Sequence, residues 1–255
     1  MLKLNYFLAD IFILSAEKQP IKLSWRKIEW LLKEVITIPI PNHEVAVPIH
    51  IKDKTIHINP RLFWIPFTTE HAEDLRKLLS TNRIYLDTQL TRFYMERKDK
   101  SQCKKHIELL KQLWNNRDII IVEGSQTRSG IGNDLYNNAK SIKRIIGLST
   151  NAFNKYNEML QAITTHARKE QLILLSYGMT ATVLAYDLCK SGYWAIDIGH
   201  LDIEYEWYKS NAKSKTTVKG KFTNETEQSG GHIVTECNDS EYLSQIICDI
   251  NQINK

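Results

Sequence analysis

Apolar and polar positions alternate in a regular way only after about residue 118. From there on, four short apolar runs are separated by longer segments whose apolar residues recur every three or four positions. Residues 119–122 form a continuous apolar run, which is typical of a strand buried on both faces. The pattern predicts three further strands, at residues 143–148, 172–175 and 193–198. Strands that alternate with helices indicate an α/β fold with right-handed crossovers and a mainly parallel sheet.

Four helices are predicted around these strands. The first follows a polar, glycine-bearing loop and covers about residues 133–141. The second begins after Thr150 or Asn151, either of which can cap it. The third covers residues 180–190 and is closed by a glycine, and the fourth is amphipathic and covers residues 239–253.

The first 118 residues follow a less regular pattern. Residues 35–67 hold five of the six prolines and several β-branched runs, which predicts short strands joined by turns. Helices are predicted at residues 69–79 and at about residues 101–114.

Composition excludes several classes of protein. With 255 residues, 42% apolar content, 6 prolines and 10 glycines, the chain can bury a sizeable core and is neither disordered nor collagen-like. Its four cysteines form no C-x-x-C pair, so we expect reduced thiols in a cytoplasmic protein rather than a zinc finger or a disulfide scaffold. No apolar run has the length of about 18 residues that a membrane-spanning helix needs.

Positive charge is concentrated before residue 118. Residues 1–118 contain 20 Lys and Arg against 14 Asp and Glu, whereas residues 119–255 contain 14 against 15. These basic residues are scattered, and no nucleic-acid-binding motif accompanies them. We therefore expect a solvated surface and no nucleic-acid partner.

In an open parallel sheet, ligands bind beyond the carboxyl ends of the strands, and three of these ends carry unusual residues. The first is the loop after the first of these strands, where Gly130 and Gly132 would let the backbone approach a ligand. Arg128 could pair with a phosphate, and a helix start at Asn133 and Asp134 would offer free amides to an anion. The spacing matches neither the Walker loop nor G-x-G-x-x-G. A glycine-rich turn followed by a plain helix cap is equally compatible.

The second strand end is the turn that contains Gly178 and Thr180, where a strand leads directly into a helix. This arrangement suits close packing against a nucleotide. An ordinary tight turn explains it equally well.

The third strand end is crowded with ionisable residues, namely Asp197, His200, Asp202, Glu204 and Glu206. Asp202 and Glu206 lie four positions apart, so a helix places them on one face. Grouped carboxylates beside a histidine suit a divalent metal or a general base. The alternative is a solvated acidic helix start, but the adjacent apolar strand favours a functional role.

Several segments in register carry a similarity to one family. They are residues 121–124, Arg128, and residues 130–135, 151–153, 178–188, 195–207 and 220–225. In these segments, which extend over about residues 82–250, the chain resembles the GT-D-type glycosyltransferases, a family first catalogued as a bacterial domain of unknown function.

The resemblance implies a Rossmann-like fold with helices on both faces of the sheet. It also implies a UDP-sugar donor, with glucose as the expected sugar, and a divalent cation, Mn²⁺. The implied acceptor is a glycan or glycoprotein in the synthesis of a bacterial surface glycoprotein or polysaccharide, and the enzyme would associate peripherally with membrane-linked glycan machinery. Residues 82–255 would form the Rossmann-like region, and residues 1–81 a divergent N-terminal part of the same domain.

Candidate roles follow from the resemblance together with the strand-end positions. Asp202 is the expected base for the acceptor hydroxyl, with Glu123 and His200 as alternative catalytic residues. Glu204 and Asp197 are the expected metal ligands. The expected nucleotide-binding residues are Arg128, Gly130, Gly132, Asn133, Asp134, Gly178 and Thr180.

One departure from the family supports a second hypothesis. Members usually carry an N-terminal Arg-Phe-Gly-Asp-Gly-Glu stretch, whose Asp-x-Glu is associated with metal and nucleotide binding, and residues 1–81 contain no Asp-x-Glu. The alternative function is a non-catalytic glycosyltransferase-like subunit that stabilises or positions an active partner. An unrelated dinucleotide enzyme is disfavoured because the fingerprint glycines are missing.

Overall fold

The computed structural model describes residues 23–47, 65–66, 69–231 and 234–252. Its strands are β1 (Ala46–Val47), β2 (Leu86–Asp87), β3 (Asp118–Gly124), β4 (Ser141–Gly147), β5 (Leu172–Ser176), β6 (Trp194–Asp197) and β7 (Ile246–Asp249). Its helices are α1 (Leu23–Thr37), α2 (Ala72–Leu78), α3 (Cys103–Lys111), α4 (Tyr156–His166), α5 (Met179–Lys190), α6 (Leu201–Lys209) and α7 (Ser240–Gln245). Short 3₁₀ helices occupy Thr88–Leu90, Ala152–Lys155 and Asn224–Ser229.

Five strands form one parallel sheet in the order β6-β5-β3-β4-β7. Strand β3 lies at the centre, β4 pairs with it on one side and β5 on the other. The chain therefore changes its direction of winding at β3, which is where a parallel sheet opens a crevice at its carboxyl edge. The predicted α/β class with a mainly parallel sheet is confirmed. Strands β1 and β2 pair with each other in a separate two-stranded sheet.

The hydrophobic core lies on both faces of the five-stranded sheet. Along β3, Ile120 and Val122 face one side and Ile119 and Ile121 the other, and all four are completely buried. Helices α1, α2, α4 and α5 contribute to the first cluster, and helices α3 and α6 to the second. Burial on both faces explains why the central strands read as unbroken apolar runs.

The loop after β3 differs from the prediction. No helix forms at residues 133–141; turns occupy residues 125–140, and β4 begins at Ser141. The loop before this segment has positive φ angles at Arg128 (51°), Gly130 (81°) and Gly132 (76°). Within the segment, Asn133 Oδ1 accepts the amide of Leu135 at 3.0 Å, and the amides of Asn137 and Ala139 donate to carbonyls only three residues back. These side-chain and turn hydrogen bonds compete with the helical pattern.

The predicted helix at residues 239–253 is also wrong for most of its length. Helix α7 ends at Gln245, and the β-branched run that follows forms β7, which pairs in parallel with β4. The free edge of β4 provides hydrogen-bond partners that an isolated amphipathic segment lacks, so tertiary pairing overrides helical periodicity.

Smaller differences concern the N-terminal half and the element boundaries. The predicted strand-rich region at residues 35–67 begins inside α1 and contains β1, while residues 48–64 and 67–68 lie outside the described part. The helix predicted at 101–114 ends at Lys111, although Trp114 remains fully buried in the turns that follow. Within the described residues, no helix combines the length and the apolar content that a membrane span requires.

Candidate active site

A cavity of about 1540 Å³ opens at the carboxyl edge of the five-stranded sheet. Its wall includes residues at or just beyond the ends of four strands: Gly124 of β3, Ser149 after β4, Gly178 after β5 and Gly199 after β6. This is the position at which parallel α/β sheets bind their ligands. Because the loops of four strands meet there, residues far apart in sequence share one wall.

The turn after β5 presents backbone rather than side chains to the cavity. Gly178 has φ 55° and ψ −152°, and it precedes the first residue of α5. A Cβ atom at this position would meet no atom within 4 Å, so the glycine faces open space. The Ala181 amide donates to the Gly178 carbonyl at 3.0 Å, whereas the amides of Met179 and Thr180, the first two residues of α5, precede the helical hydrogen-bonding pattern and are suited to an anion.

The turn after β6 leads directly into α6. Gly199 has φ 47°, which allows the abrupt change of direction between strand and helix. Asp197 stabilises this turn, since its Oδ1 accepts the Gly199 N–H at 3.0 Å and its Oδ2 accepts the hydroxyl of Thr182 at 2.8 Å. Burial raises the pKa of the Asp197 carboxyl, and these two hydrogen bonds oppose the increase.

His200, the residue before α6, forms an ion-pair contact with Glu225. Its Nδ1 lies 3.3 Å from Glu225 Oε2, and its side chain is 36% exposed on the cavity wall. Arg92 donates to Glu225 Oε1 at 3.0 Å. Burial opposes ionisation of Glu225, but His200 and Arg92 together lower the pKa of its carboxyl well below the usual range. Glu225 is therefore an anion held between the ring of His200 and the guanidinium of Arg92.

Asp202 lies in the first turn of α6 and is enclosed by polar partners. Its Oδ1 accepts the amide of Gly130 and the side-chain amide of Asn133, both at 2.8 Å. Its Oδ2 accepts the ammonium of Lys221 at 2.7 Å, and Lys221 also reaches Glu206 at 2.8 Å. Both oxygens of Asp202 are thus occupied, although the residue lines the cavity.

Glu204 lies on α6 and holds the backbone of a distant segment. Its Oε2 accepts the amides of Tyr94 at 3.0 Å and Met95 at 2.8 Å. Burial raises the pKa of the Glu204 carboxyl, which the two amides and Arg92 oppose. The residue is completely buried, so it supports the segment that carries Arg92.

Glu123, at the end of β3, is completely buried. Its Oε1 accepts Arg144 Nη1 at 2.7 Å, and its Oε2 accepts the amide of Ser129 at 2.7 Å. Arg144 also donates to Gln245 and lies over the ring of Tyr242. This pair links β3, β4 and α7 inside the protein and is not part of the cavity wall.

Arg128 does not face the cavity. It is 8% exposed, and its guanidinium donates to the carbonyl of Gly220 at 2.8 Å and to that of Thr235 at 2.5 Å. Both acceptors belong to the region after α6. Arg128 therefore fastens that region to the loop after β3, and the expected phosphate contact stays a prediction without support from its position.

The structure divides the residues predicted from sequence into two groups. The cavity wall includes Asp197, His200, Asp202, Gly178 and Thr180. The remaining candidates lie away from that wall, namely Glu123, Arg128, Gly130, Gly132, Asn133, Asp134 and Glu204. Position alone therefore favours the ends of β5 and β6 over the end of β3.

Two residues of the site were missed as functional candidates, Arg92 and Glu225. Glu225 lies within residues 220–225, one of the segments that carry the resemblance to the GT-D family, so this position was the available signal. Arg92 lies in none of those segments and follows none of the predicted strands, so no pattern in the sequence indicated it.

Asp197 and Glu204, the predicted metal ligands, do not fit a divalent cation as they are arranged. Both oxygens of Asp197 are occupied by Thr182 and Gly199. Glu204 Oε1 is buried without a hydrogen bond, but Arg92 acts on this carboxyl electrostatically and would repel a cation. Among the residues that the structure describes, no three His, Cys, Asp or Glu side chains are grouped so as to hold a metal. The cation stays a prediction.

A parallel α/β sheet with a large cavity at its carboxyl edge defines a class of ligand-binding α/β proteins. The comparison with protein families identifies the family within this class. The model of the glycosyltransferase GT-D fold matches residues 10–226, so the chain belongs to the GT-D family.

Two curated relatives come from streptococci. The chain is 43% identical over 189 residues to glycosyltransferase GlyD of Streptococcus pneumoniae serotype 4, and 40% identical over 195 residues to the probable glycosyl transferase Gly of Streptococcus gordonii. These matches cover 73% and 76% of this chain but only 23% and 28% of the relatives. The chain thus spans about a quarter of the length of the curated relatives it matches.

Solved structures show the same fold. A structure of the domain of unknown function 1792, described as having a distinct glycosyltransferase fold, is 33% identical with a TM-score of 0.84, covering 96% of this chain and 86% of that one. A second, described as a new glycosyltransferase from Streptococcus sanguinis, is 34% identical with a TM-score of 0.81, covering 88% of this chain and 83% of that one.

Proposed function

We propose that the protein is a glycosyltransferase that moves a sugar, glucose in the first instance, from a UDP-sugar to a glycan acceptor in the synthesis of a bacterial surface glycoprotein or polysaccharide. Family membership and the names of the streptococcal relatives support this proposal. The observation that carries it is the His200–Glu225 pair on the wall of a cavity at the carboxyl edge of the sheet.

The donor diphosphate would bind at the N-terminus of α5. Gly178 leaves room for a close approach, and the amides of Met179 and Thr180, the first two residues of the helix, can donate to phosphate oxygens. Thr180 lies on the same wall. We therefore place the diphosphate at α5 and not at the loop after β3, because Arg128 in that loop already donates to two carbonyl groups.

His200 is the proposed base in place of Asp202, whose two oxygens are occupied. Nδ1 of the ring would donate to Glu225, which leaves Nε2 to accept the proton of the acceptor hydroxyl. As this proton moves to Nε2, the acceptor oxygen forms its bond to the anomeric carbon. The bond from that carbon to the donor phosphate breaks, and UDP leaves with the electron pair.

Transfer of labelled glucose from UDP-glucose tests this proposal. We expect the protein to transfer glucose to a glycan acceptor, or to water when no acceptor is present, and His200→Ala to reduce the rate about 100-fold or more, the usual scale for a general base. His166→Ala is the matched control, because His166 is exposed at the end of α4 and is not part of the cavity wall. Parental turnover in His200→Ala would remove His200 from catalysis.

A requirement for Mn²⁺ is a separate part of the proposal. No step above is assigned to a cation, because the described carboxylates do not form a site for one. Activity that is lost in EDTA and restored by Mn²⁺ would support the requirement, and full activity in EDTA would contradict it.

A non-catalytic role is the second candidate, and the lack of an Asp-x-Glu in residues 1–81 supports it. If the protein neither transfers nor hydrolyses UDP-glucose with any divalent cation, but increases the activity of a co-purified glycosyltransferase, this second function is the correct one.

A further inference from the structure

Helix α6 is connected to both residues of the His200–Glu225 pair. It follows His200 directly, and it binds Lys221, which lies four residues before Glu225. Within α6, Asp202 and Glu206 share one face and both accept hydrogen bonds from Lys221, at 2.7 and 2.8 Å. Lys221 and Asp202 are each only 4% exposed. Because an ammonium group buried without its partners is strongly unfavourable, Lys221 stays docked on the helix.

The segment that follows Lys221 is short and is held by backbone hydrogen bonds. The amide of Phe222 donates to a carbonyl of the loop after β3 at 2.8 Å, and that of Thr223 donates to Gly231 at 2.7 Å. Thr223 is completely buried, and a Cβ atom on Gly231 would collide with its carbonyl. Because hydrogen bonds hold both Lys221 and Thr223, the backbone has little conformational freedom at Glu225, two residues after Thr223.

Lys221 itself is not on the cavity wall and does not touch His200. Its partner Asp202 does line the cavity, and Glu204 of the same helix holds the segment that carries Arg92. Lys221 can act on the His200 ring through residues 222–225, which lead from it to Glu225.

We propose that Lys221 is a positioning residue: docked on Asp202 and Glu206, it sets the place of Glu225 and thereby the orientation of the His200 ring. The inference rests on the glycosyl transfer proposed above. It gives Asp202 a role different from that of a base, since Asp202 acts on His200 through Lys221 and Glu225.

The ring signals of His200 report on this coupling without any activity assay. The charged groups that face its ring are Glu225 from the 3₁₀ segment and Asp197 from the end of β6, with Arg92 on the far side of Glu225. Since Glu225 Oε2 lies 3.3 Å from Nδ1 of the ring, the chemical shifts of the ring depend on the position of this carboxylate. Displacing Glu225 should therefore change the ring signals of His200 at a fixed pH.

The experiment records the ring signals of His200 by NMR at one fixed pH in the full chain. The variants are Lys221→Met, Glu225→Gln and, as a matched control from the same segment, Lys219→Met, which alters an exposed lysine. We expect Glu225→Gln to shift the ring signals, Lys221→Met to reproduce at least half of that shift in the same direction, and Lys219→Met to match the parent. In transfer assays, Lys221→Met should lower kcat tenfold or more with less than a threefold change in KM for the donor, and Lys221→Arg should restore part of the loss.

Circular dichroism and thermal unfolding establish that each variant is folded. If Lys221→Met does not fold, Glu206→Gln replaces it, since this change removes one of the two negative charges that hold Lys221 and leaves Asp202 in place; a smaller shift in the same direction is expected. A folded Lys221→Met whose His200 ring signals equal those of the parent, while Glu225→Gln shifts them, overturns the proposal. Unshifted ring signals in Glu225→Gln also overturn it. A shift in both variants of a parent that transfers no sugar supports the positioning role and refutes the proposed function instead.

Discussion

Two strand ends in this protein carry glycines with positive φ angles, and they serve different purposes. After β3, a Cβ atom on Gly130 would lie 2.5 Å from the ring of Tyr136, so this glycine allows close internal packing. After β5, a Cβ atom on Gly178 would meet no atom within 4 Å, and this glycine borders the cavity. A glycine-rich turn at the carboxyl edge of a sheet is therefore not evidence of a ligand site until its surroundings are known.

The charged residues follow the same division. At the end of β3, Glu123 and Arg144 neutralise each other inside the protein, and Arg128 binds backbone carbonyls. At the end of β6, His200 and Glu225 form their pair on the cavity wall. The charged side chains at the β3 end maintain the fold, whereas those at the β6 end lie on the cavity wall.

The largest expected effect concerns the buried pair at the β3 end. Arg144→Met leaves Glu123 without its ion-pair partner, and removing one partner of a buried pair costs about 3–5 kcal/mol of unfolding free energy. Chemical denaturation measures the loss. Lys143→Met, at the exposed neighbouring position, is the control and should stay within about 0.5 kcal/mol of the parent. A loss below 1 kcal/mol in Arg144→Met would show that the pair does not maintain the fold.

The two glycines should respond differently to the same substitution. Gly130→Ala combines a left-handed backbone with a collision against Tyr136, and we expect a loss of more than about 3 kcal/mol. Gly178→Ala meets no steric obstacle, so its loss should be limited to backbone strain of about 1–3 kcal/mol. Titration calorimetry should show that only Gly178→Ala weakens UDP binding in the folded protein. A larger stability loss in Gly178→Ala than in Gly130→Ala would contradict the distinction between the two glycines. Weaker UDP binding in folded Gly130→Ala but not in Gly178→Ala would also contradict it.

Arg128 gives a sharper test, because sequence and structure lead to different expectations. As a phosphate ligand it would affect binding and leave stability almost unchanged. As a link to the carbonyls of Gly220 and Thr235, its replacement by Ala should cost about 1.5–3 kcal/mol of unfolding free energy and change the Kd for UDP less than twofold. Unfolding and binding measurements on one preparation distinguish these outcomes. A tenfold weaker affinity at parental stability would return Arg128 to the ligand site.

The smallest effect concerns Asp134. Partial burial opposes its ionisation, but Lys209, Tyr205 and Lys111 lower the pKa of its carboxyl to about 2. Since the folded-state pKa lies below the unfolded value of about 3.9, the stabilisation is complete above that value and is lost as the pH falls towards 2. Asp134→Asn should therefore be less stable than the parent at pH 6 by about 0.2–1 kcal/mol, the scale of exposed pairs, and equal to it near pH 2. A constant difference over this range would mean that the ion pairs contribute nothing.

Much of the fold was predictable because burial on both faces leaves a direct mark on the sequence. The runs that became β3 and β5 are continuous and apolar, and helix α5 ends before Gly192 as expected. The end of the described chain was not predictable in this way. Its amphipathic pattern is compatible with a helix, and only the free edge of β4 makes part of it a strand.

Some of the predicted site residues share one cavity wall, but their roles stay predictions. His200, Asp197 and Gly178 lie on the cavity wall, as their strand-end positions indicated. The partner of His200 was missed, because Glu225 lies 25 residues further along the chain and no local spacing indicates their contact. The assignment of Asp202 as base relied on its position alone, which could not reveal that Lys221 neutralises it.

Hydrogen–deuterium exchange with and without UDP tests the central claim most directly. The claim is that the ligand occupies the ends of β5 and β6, whereas residues 128–135 of the loop after β3 are internal structure. We predict that UDP slows amide exchange at residues 176–182 and 199–201 and leaves exchange at residues 128–135 unchanged. Protection confined to residues 128–135 would contradict the account and place the nucleotide at the end of β3.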